Sequence, residues 1–267
     1  MDLLQPIFVN QSGETYEAGL GPDNSSYSLK DINNRNQTDI DSGLEDFLLF
    51  ITPNKKTWTP DWKFQAEVVN KIKTKFPKIQ LSVDVCLCST LPDGHCCVLD
   101  KPDTSEQLLV NLGKQLESAG ADVLAPSDMG ENTVKNLKAE TSKLIMAYVK
   151  WRSVFYSTFR DVSDSKPSSE RTYQLNVKNE WGMTSRSHQY VADGADALLL
   201  KPASHSMDVF GLVKAGTYKQ VGLFQVSDEY IGLPTIQHQL EIATIYKRAN
   251  ASFLVTYGAG NLVNKLE

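Results

Sequence analysis

The sequence predicts a single (β/α)8 barrel, in which eight parallel strands alternate with helices across residues 1–267. Three observations lead to this fold class: short apolar runs, helical patterns between them, and polar or charged residues where the runs end. Runs this short and this apolar are typical of parallel strands that are buried on both faces. With 267 residues, 41% of them hydrophobic, the chain can form one large domain around its own core.

Eight apolar runs are spread along the whole chain, and each predicts one strand of the barrel. They lie at residues 6–9, 47–51, 81–85, 121–125, 144–149, 197–200, 221–226 and 253–257.

Helical spacing of apolar residues predicts helices between several of these strands, at residues 62–75, 105–119 and 240–249. The phrase Gly-Ala-Asp occurs twice, at 120–122 and 194–196, and each copy predicts a helix that ends in glycine before a strand. Residues 10–45 are polar, rich in Asn and Ser and weakly patterned, and they predict a long loop.

An open doubly wound sheet is the competing fold for this alternation of strands and helices. Such a sheet usually carries a glycine-rich phosphate-binding turn after its first strand. Here Val9 is followed by Asn-Gln-Ser-Gly-Glu, which does not match that turn. The barrel is therefore the favoured architecture.

Charge and hydropathy exclude several classes of function. The formal net charge is −5 with acidic and basic residues interleaved, so no basic patch points to nucleic acid. No apolar run reaches the ~18 residues of a membrane span. The first residues lack the basic and apolar regions of a secretory signal, so we expect a cytoplasmic protein.

All four cysteines lie within twelve positions, in what we call the thiol loop, residues 86–97. Cys86, Cys88 and Cys96, with His95 beside them, offer the thiolate and imidazole ligands that zinc prefers. A catalytic zinc site keeps three protein ligands and one exchangeable position. A buried thiol cluster and a redox pair remain alternatives to a metal site.

Lys150 and Lys201 end the fifth and sixth apolar runs, and Pro202 helps to end the second of these strands. A single lysine at a strand end is usually a surface residue with its head in water. Two lysines on neighbouring strands, ~4.8 Å apart, would instead feel each other if both pointed inward. Like charge and burial would favour a neutral amine, which can form a Schiff base with a carbonyl.

Other polar residues gather where strands end, which is where barrels carry their function. The strand ends supply Asp84, Ser127, Asp128, Ser227 and Tyr257. After the fifth strand lies a polar stretch, residues 155–174, which we call the lid segment. It contains Tyr156, Phe159, Arg160, Arg171 and Gln174, and its arginines would suit a carboxylate-bearing substrate. A solvated loop with incidental charges fits the same composition.

Together these residues resemble the porphobilinogen synthase (5-aminolaevulinate dehydratase) family over about residues 6–266. The resemblance rests on several motifs that occur in the family's order. They are Asp84-Val85-Cys86-Leu87-Cys88 with Gly94-His95-Cys96, Ala125-Pro126-Ser127-Asp128-Met129, Lys150 with Phe155-Tyr156 and Phe159-Arg160-Asp161, Lys201-Pro202-Ala203, Val226-Ser227 with Glu229-Tyr230, and Thr256-Tyr257.

The resemblance implies that two 5-aminolaevulinate molecules condense to porphobilinogen with loss of two waters, a step of tetrapyrrole (haem) biosynthesis. Lys201 would hold the first substrate as a Schiff base, and Lys150 would engage the second. Zinc would bind Cys86, Cys88 and Cys96. The other implied roles are Ser227 and Tyr257 for the first carboxylate, Arg160, Gln174 and Arg171 for the second, Asp84 and Asp128 for orienting the metal site and the lysines, and Tyr156, Phe159 and Ser127 as further substrate-binding residues.

Some positions depart from the family pattern. Phe224 stands where a tyrosine is usual, and Asp228 and Cys97 stand where glycines are usual. The run Glu-Arg-Thr-Tyr-Gln at 170–174 alters the place of Arg171 in the lid segment. Asp193 replaces a glutamate associated with an allosteric magnesium, which weakens the expectation of that Mg²⁺ site.

The first predicted strand begins only a few residues into the given sequence, so we expect the long N-terminal arm that ties family members into octamers to be missing. We therefore expect a homo-oligomer smaller than an octamer, with a dimer favoured.

Two alternatives to this enzyme remain open from the sequence. A class I aldolase-type lyase would use one lysine and no zinc, but it gives the cysteines no role. A degenerate, weakly active or non-catalytic barrel that binds metal would account for the departures.

Overall fold

The computed structural model describes residues 1–21 and 24–266. Within these ranges eight parallel strands close into a barrel, which confirms the predicted fold class. The barrel strands are β1 (Asp2–Asn10), β4 (Asp46–Thr52), β5 (Gln80–Val85), β6 (Val123–Pro126), β7 (Leu144–Lys150), β8 (Ala197–Lys201), β9 (Gln220–Phe224) and β10 (Phe253–Val255).

The barrel closes between its first and last strands. Each strand from β4 to β9 pairs in parallel with the next one along the chain, and β1 pairs with both β4 and β10. In the closing pair Asp2 lies opposite Phe253 and Leu4 opposite Val255.

Helices connect the strands and cover the barrel from outside. They are α1 (Ile32–Asp41), α2 (Lys63–Lys75), α3 (Pro102–Ala119), α4 (Thr133–Glu140), α5 (Ser157–Val162), α6 (Gly182–Ala192), α7 (Met207–Thr217), α8 (Ser227–Ile231), α9 (Ile236–Arg248) and α10 (Ala259–Leu262). Short 3-10 turns at Val154–Tyr156 and Ser204–Ser206 precede α5 and α7. None of the helices in the described ranges is both long and apolar enough to cross a membrane.

The prediction of a long loop over residues 10–45 was wrong for much of that segment. It contains β2 (Tyr16–Glu17), β3 (Ser25–Ser28) and the helix α1. Strand β3 pairs in parallel with the end of β1, and β2 pairs with β3 in antiparallel orientation. The polar composition hid these elements because Ser28 and Asn36 are buried, which polar residues seldom are.

Alternation along the strands sorts their side chains into two cores. On β7, Ile145, Ala147 and Val149 pack outward in the core shared with the helices, whereas Met146 and Tyr148 pack inside the barrel. Successive strand residues face opposite sides of the sheet, so the next inward position after Tyr148 is Lys150. The same spacing places Lys201 inward after Leu199 on β8.

Candidate active site

The two lysines predicted from the sequence lie side by side at the carboxyl ends of their strands. Lys150 of β7 is the register partner of Lys201 of β8. Both side chains are buried, with only 6% and 5% of their surfaces exposed. Neither is therefore the solvated strand-end lysine that the sequence left as an alternative.

Aromatic rings surround the amine of Lys201. Its Nζ lies 4.0 Å from the ring centre of Phe224, 4.3 Å from Phe159, 5.2 Å from Tyr156 and 5.7 Å from Tyr148. Burial, followed by the charge of Lys150, lowers the pKa of Lys201 from 10.5 to about 7. A large share of this amine is therefore neutral and nucleophilic near neutral pH.

Sulfur, rather than aromatic carbon, borders the amine of Lys150. Its Nζ lies 3.9 Å from Sγ of Cys96. Burial lowers the pKa of Lys150, but the negative charge of Cys96 outweighs burial, so the pKa of Lys150 is raised. Lys150 is therefore held as an ammonium beside the thiol loop.

Cys86, Cys88 and Cys96 form a compact buried group, with their three Sγ atoms within 4.8 Å of one another. All are free thiols, and the Sγ atoms of Cys86 and Cys88 lie 3.3 Å apart. The Cys86 and Cys88 thiols donate to Cys96 and lower its pKa well below the ordinary value, whereas burial raises that of Cys86.

This group of thiols suits a metal site. Zn–S bonds of about 2.3 Å in tetrahedral geometry place sulfurs about 3.8 Å apart, which is close to the spacing here. Cys97 is half-buried and lies outside the group of three.

Three polar residues lie at or just after the ends of β5 and β6, namely Asp84, Ser127 and Asp128. Asp84 lies on β5, and burial raises its pKa to about 6, although a hydrogen bond from Ser127 opposes that shift. Asp128 accepts hydrogen bonds from Thr133 Oγ1 at 2.6 Å and from the Gly130 amide at 2.9 Å. Burial raises the pKa of Asp128 to about 6 as well. These carboxyl groups can exchange protons near neutral pH.

The lid segment packs onto the site from the side of β7 and β8. Tyr156 donates its hydroxyl to the carbonyl of Trp151 at 2.7 Å, and the guanidinium of Arg160 lies 5.4 Å from the Tyr156 ring centre. Gln174 is 2% exposed, and neither Nε2 nor Oε1 has a hydrogen-bond partner among the described residues. A buried amide without a hydrogen-bond partner is energetically costly. A bound ligand would supply the missing partners of Gln174.

The lid segment is also joined to the thiol loop. Arg171 donates from Nη2 to the carbonyls of Gly94 and Ser165, both at 2.6 Å. Gly94 has a φ of +69°, and a Cβ there would collide with the carbonyl of Lys166. Only glycine allows the two segments to approach this closely. Arg171 therefore uses its Nη2 atom to join the lid segment to the thiol loop.

Ser227 and Tyr257 lie at the ends of the last two strands, as the sequence predicts. Ser227 is fully buried at the start of α8, and its Oγ accepts a hydrogen bond from the Phe159 amide at 3.3 Å. The hydroxyl of Tyr257 is buried and has no partner among the described residues. Burial raises its pKa, so the phenol stays protonated and can donate.

Sequence reasoning missed residues whose position depends on contacts across the barrel. Tyr148 was taken as part of an apolar run, but it contributes a ring and an unpartnered buried hydroxyl near Lys201. Its spacing of two from Lys150 was the available signal. Tyr173 accepts the Cys96 amide at 2.9 Å, and its hydroxyl lies 3.3 Å from Nδ1 of His95. Tyr173 was recognised as part of the lid run Glu-Arg-Thr-Tyr-Gln, but no role was predicted for it.

The chain matches one protein family over nearly its whole length. The family model described as Delta-aminolevulinic acid dehydratase matches residues 1–265. A delta-aminolevulinic acid dehydratase of Helicobacter pylori strain J99 is 29% identical over 295 residues, covering 100% of this chain and 91% of the relative. That of Bacillus subtilis strain 168 is 30% identical, covering 97% of this chain and 88% of the relative.

Solved structures agree with these relatives. Delta-aminolevulinic acid dehydratase (porphobilinogen synthase) from Toxoplasma gondii ME49, in complex with porphobilinogen, has a TM-score of 0.90 and 25% identity. The match covers 98% of this chain and 84% of that one. Dihydropteroate synthase from Yersinia pestis has a TM-score of 0.62 at 11% identity, covering 99% and 91%, and shares the barrel fold alone.

Proposed function

This chain belongs to the delta-aminolevulinic acid dehydratase family, and from that premise we infer that it is a porphobilinogen synthase. Such an enzyme is a hydro-lyase that joins two molecules of 5-aminolaevulinate into porphobilinogen and releases two waters, within tetrapyrrole biosynthesis. The observation that carries this function is the pair of buried lysines in register at the ends of β7 and β8, each in a different environment.

We propose that Lys201 holds the first substrate. Its pKa of about 7 leaves much of the amine neutral, and the neutral amine attacks the ketone carbonyl of 5-aminolaevulinate. The carbonyl oxygen leaves as water, and a Schiff base forms between Nζ and the former carbonyl carbon. The four surrounding rings exclude solvent from this carbon and stabilise positive charge on the nitrogen.

Lys150 would engage the second substrate on the thiol side of the site. Asp84 and Asp128, whose pKa values lie near 6, would accept and return protons and orient the lysines, with Ser127 donating to Asp84.

The carboxylates of the two substrates would bind on opposite sides. Ser227 and Tyr257 suit the first carboxylate, because the Tyr257 hydroxyl is a buried donor without a partner. Arg160 and Gln174 suit the second, since Nε of Arg160 and both side-chain atoms of Gln174 are likewise unpaired. Arg171 would contribute its remaining guanidinium nitrogens, and Tyr156 and Phe159 would close over the first substrate.

Cys86, Cys88 and Cys96 would hold a zinc ion, because three buried free thiols at this spacing match its preference for sulfur and leave one position open. A bound zinc ion supplies Lewis acidity toward a carbonyl oxygen or a water molecule of lowered pKa.

A zinc-supplemented product assay with 5-aminolaevulinate tests this function directly. We expect porphobilinogen to form, and we expect borohydride to trap substrate on the protein in equimolar amount. Lys201→Ala should abolish trapping and lower turnover by on the order of 10⁴-fold or more. Lys135→Ala, which removes an exposed lysine of α4, should do neither.

Two results would contradict the assignment. Trapping that persists undiminished in a folded Lys201→Ala variant would remove the Schiff-base role of Lys201. Absence of product at high enzyme and zinc concentrations would favour a non-catalytic, metal-binding barrel. The cytoplasmic location and a homo-oligomer smaller than an octamer stay predictions, which fractionation and sedimentation equilibrium would test.

A further inference from the structure

Asp228 occupies a position between the lid segment and the first-substrate side of the site. Its Oδ2 accepts a hydrogen bond from Ser157 Oγ at 2.8 Å, and its Oδ1 accepts one from Thr158 Oγ1 at 3.3 Å. The same Oδ1 lies 3.0 Å from Ser227 Oγ. One carboxylate on α8 therefore binds two hydroxyls of α5 and one of its own helix.

These contacts fix the part of the lid segment that covers Lys201. Phe159 follows Thr158 directly, and its ring centre lies 4.3 Å from the Lys201 amine. The Phe159 amide donates to Ser227 Oγ, so the backbone of α5 is also held by the residue that precedes Asp228. Loss of the Asp228 contacts would free the ring that shields the reacting amine.

The Asp228 carboxylate also competes for the hydroxyl that the first substrate would use. A serine hydroxyl has a single hydrogen to donate. In this structure that hydrogen can reach Asp228 Oδ1 at 3.0 Å or the carbonyl of Phe155 at 3.4 Å. A substrate carboxylate that binds Ser227 must accept this hydrogen bond in place of Asp228. It is then also repelled by the negative charge of Asp228 close by.

The next acid in the sequence, Glu229, does not link the lid segment to Ser227. Glu229 accepts hydrogen bonds from the backbone amides of Ala203, Ser204 and Val226, so it ties α8 to the end of β8. Its carboxylate makes no hydrogen bond to α5 among the described residues. Asp228 is thus the acid that links the lid segment to Ser227.

We propose that Asp228 is a positioning and specificity-determining residue that latches α5 over Lys201 and sets the affinity for the first substrate's carboxylate. The substrate part of this proposal rests on the function proposed for Lys201 and Ser227, whereas the latch itself does not. The Asp228 carboxylate holds the lid segment closed in the free protein. It also weakens binding of the first substrate, because the carboxylates of Asp228 and of the substrate both need the Ser227 hydroxyl.

Hydrogen exchange in the free protein tests the latch without any reaction. Asp228→Gly removes the carboxylate, and the double variant Ser157→Ala, Thr158→Val removes its partners while keeping its charge. Both should speed exchange of the amides at 157–163 by about tenfold. Asp208→Asn, at an exposed acid of α7, should leave them unchanged. Unchanged exchange in both variants, or an equal rise in β7 and β8, would overturn the latch.

The concentration of 5-aminolaevulinate that half-saturates borohydride trapping tests the effect on the substrate. Asp228→Asn removes the charge, so half-saturation should fall by about threefold or more, whereas Asp208→Asn should leave it as in the wild type. The double variant retains the charge and should show a smaller fall. An unchanged or higher value in Asp228→Asn would refute the effect on specificity. Failure of trapping in the wild type would instead refute the proposed function, and hydrogen exchange would still decide the latch.

Discussion

The site has a thiol half around Lys150 and an aromatic half around Lys201, and the two lysines respond to them in opposite ways. They are register partners on adjacent strands and are almost equally buried. The pKa of Lys150 is raised because the negative sulfur of Cys96 outweighs burial. The pKa of Lys201 falls to about 7 because burial and the charge of Lys150 act together.

This difference shows that the neighbours of a lysine, rather than its burial, decide what it can do. Near Lys201, Asp84 and then Cys88 oppose the lowering of its pKa but do not outweigh burial, whereas near Lys150 the sulfurs, led by Cys96, do outweigh burial. The charged Lys150 also helps to keep Lys201 neutral. The two halves are therefore coupled, and a change in one should be measurable in the other.

Among the variants that would separate the thiol half from the aromatic half, Cys96→Ser is expected to have the largest effect. Loss of one of three thiolates should reduce bound zinc from one equivalent to none and lower turnover by about 100-fold or more. Schiff-base trapping on Lys201 should persist, because that amine lies in the aromatic half. Metal analysis, a product assay and trapping of the same preparation would measure all three.

Cys97→Ser is the matched control, since Cys97 is adjacent in sequence but lies outside the three-thiol group. It should retain zinc and turnover. Full activity of Cys96→Ser after complete removal of zinc would show that the thiol half is not a catalytic metal site.

A smaller effect is expected from Lys150→Met on the pH dependence of trapping. In the wild type the trapping rate should rise with pH through a midpoint near 7, where Lys201 loses its proton. Removal of the Lys150 charge should move this midpoint upward by about half a pH unit to one unit. At pH 7 the rate should then fall a few-fold. A midpoint that stays in place would show that the two halves are not electrostatically coupled.

The remaining effect is on stability rather than on activity, and it depends on pH. The pKa of Lys201 falls from 10.5 to about 7 on folding, so the unfolded chain binds more protons between these values. The unfavourable contribution of Lys201 is complete below pH 7 and disappears as pH rises toward 10.5. Lys201→Met should therefore be more stable than the wild type by about 2–4 kcal/mol at pH 6.

This advantage of Lys201→Met should shrink by pH 9, as urea unfolding at pH 6, 7.5 and 9 would show. Lys135→Met provides the exposed comparison, with no expected change. A difference between Lys201→Met and the wild type that is the same at all three values would exclude a lowered pKa for Lys201.

The strands of the barrel could be predicted because buried parallel strands have a simple signature. Each of the eight apolar runs coincides with a barrel strand, although β6 begins at Val123 and β10 ends at Val255, within the predicted runs. The elements between residues 10 and 45 could not be predicted, because their buried positions include polar residues such as Ser28 and Asn36. Their burial depends on packing against β1 and the helices, which periodicity does not record.

Candidate site residues could be proposed from the sequence where they stand at strand ends or in a cluster of one residue type. Lys150, Lys201 and the three cysteines were recognisable by type and position, and the structure places each lysine in a half of the site. The contacts that distinguish the halves join segments far apart in sequence, such as Phe224 with Lys201 and Cys96 with Lys150. The sequence alone does not show which ring or sulfur lies across the barrel from a given lysine.

The closing pair of the barrel bears on the order in which the two halves can assemble. Residues 86–150 contain the thiol loop and Lys150, so the thiol half can form from a local stretch of the chain. The aromatic half needs Phe224 of β9, and the barrel that holds it closes only when β10 pairs with β1 across almost the full chain length. Contacts between such distant segments form slowly. During synthesis the cysteines of the thiol loop therefore leave the ribosome before Phe224 and the strand that closes the barrel.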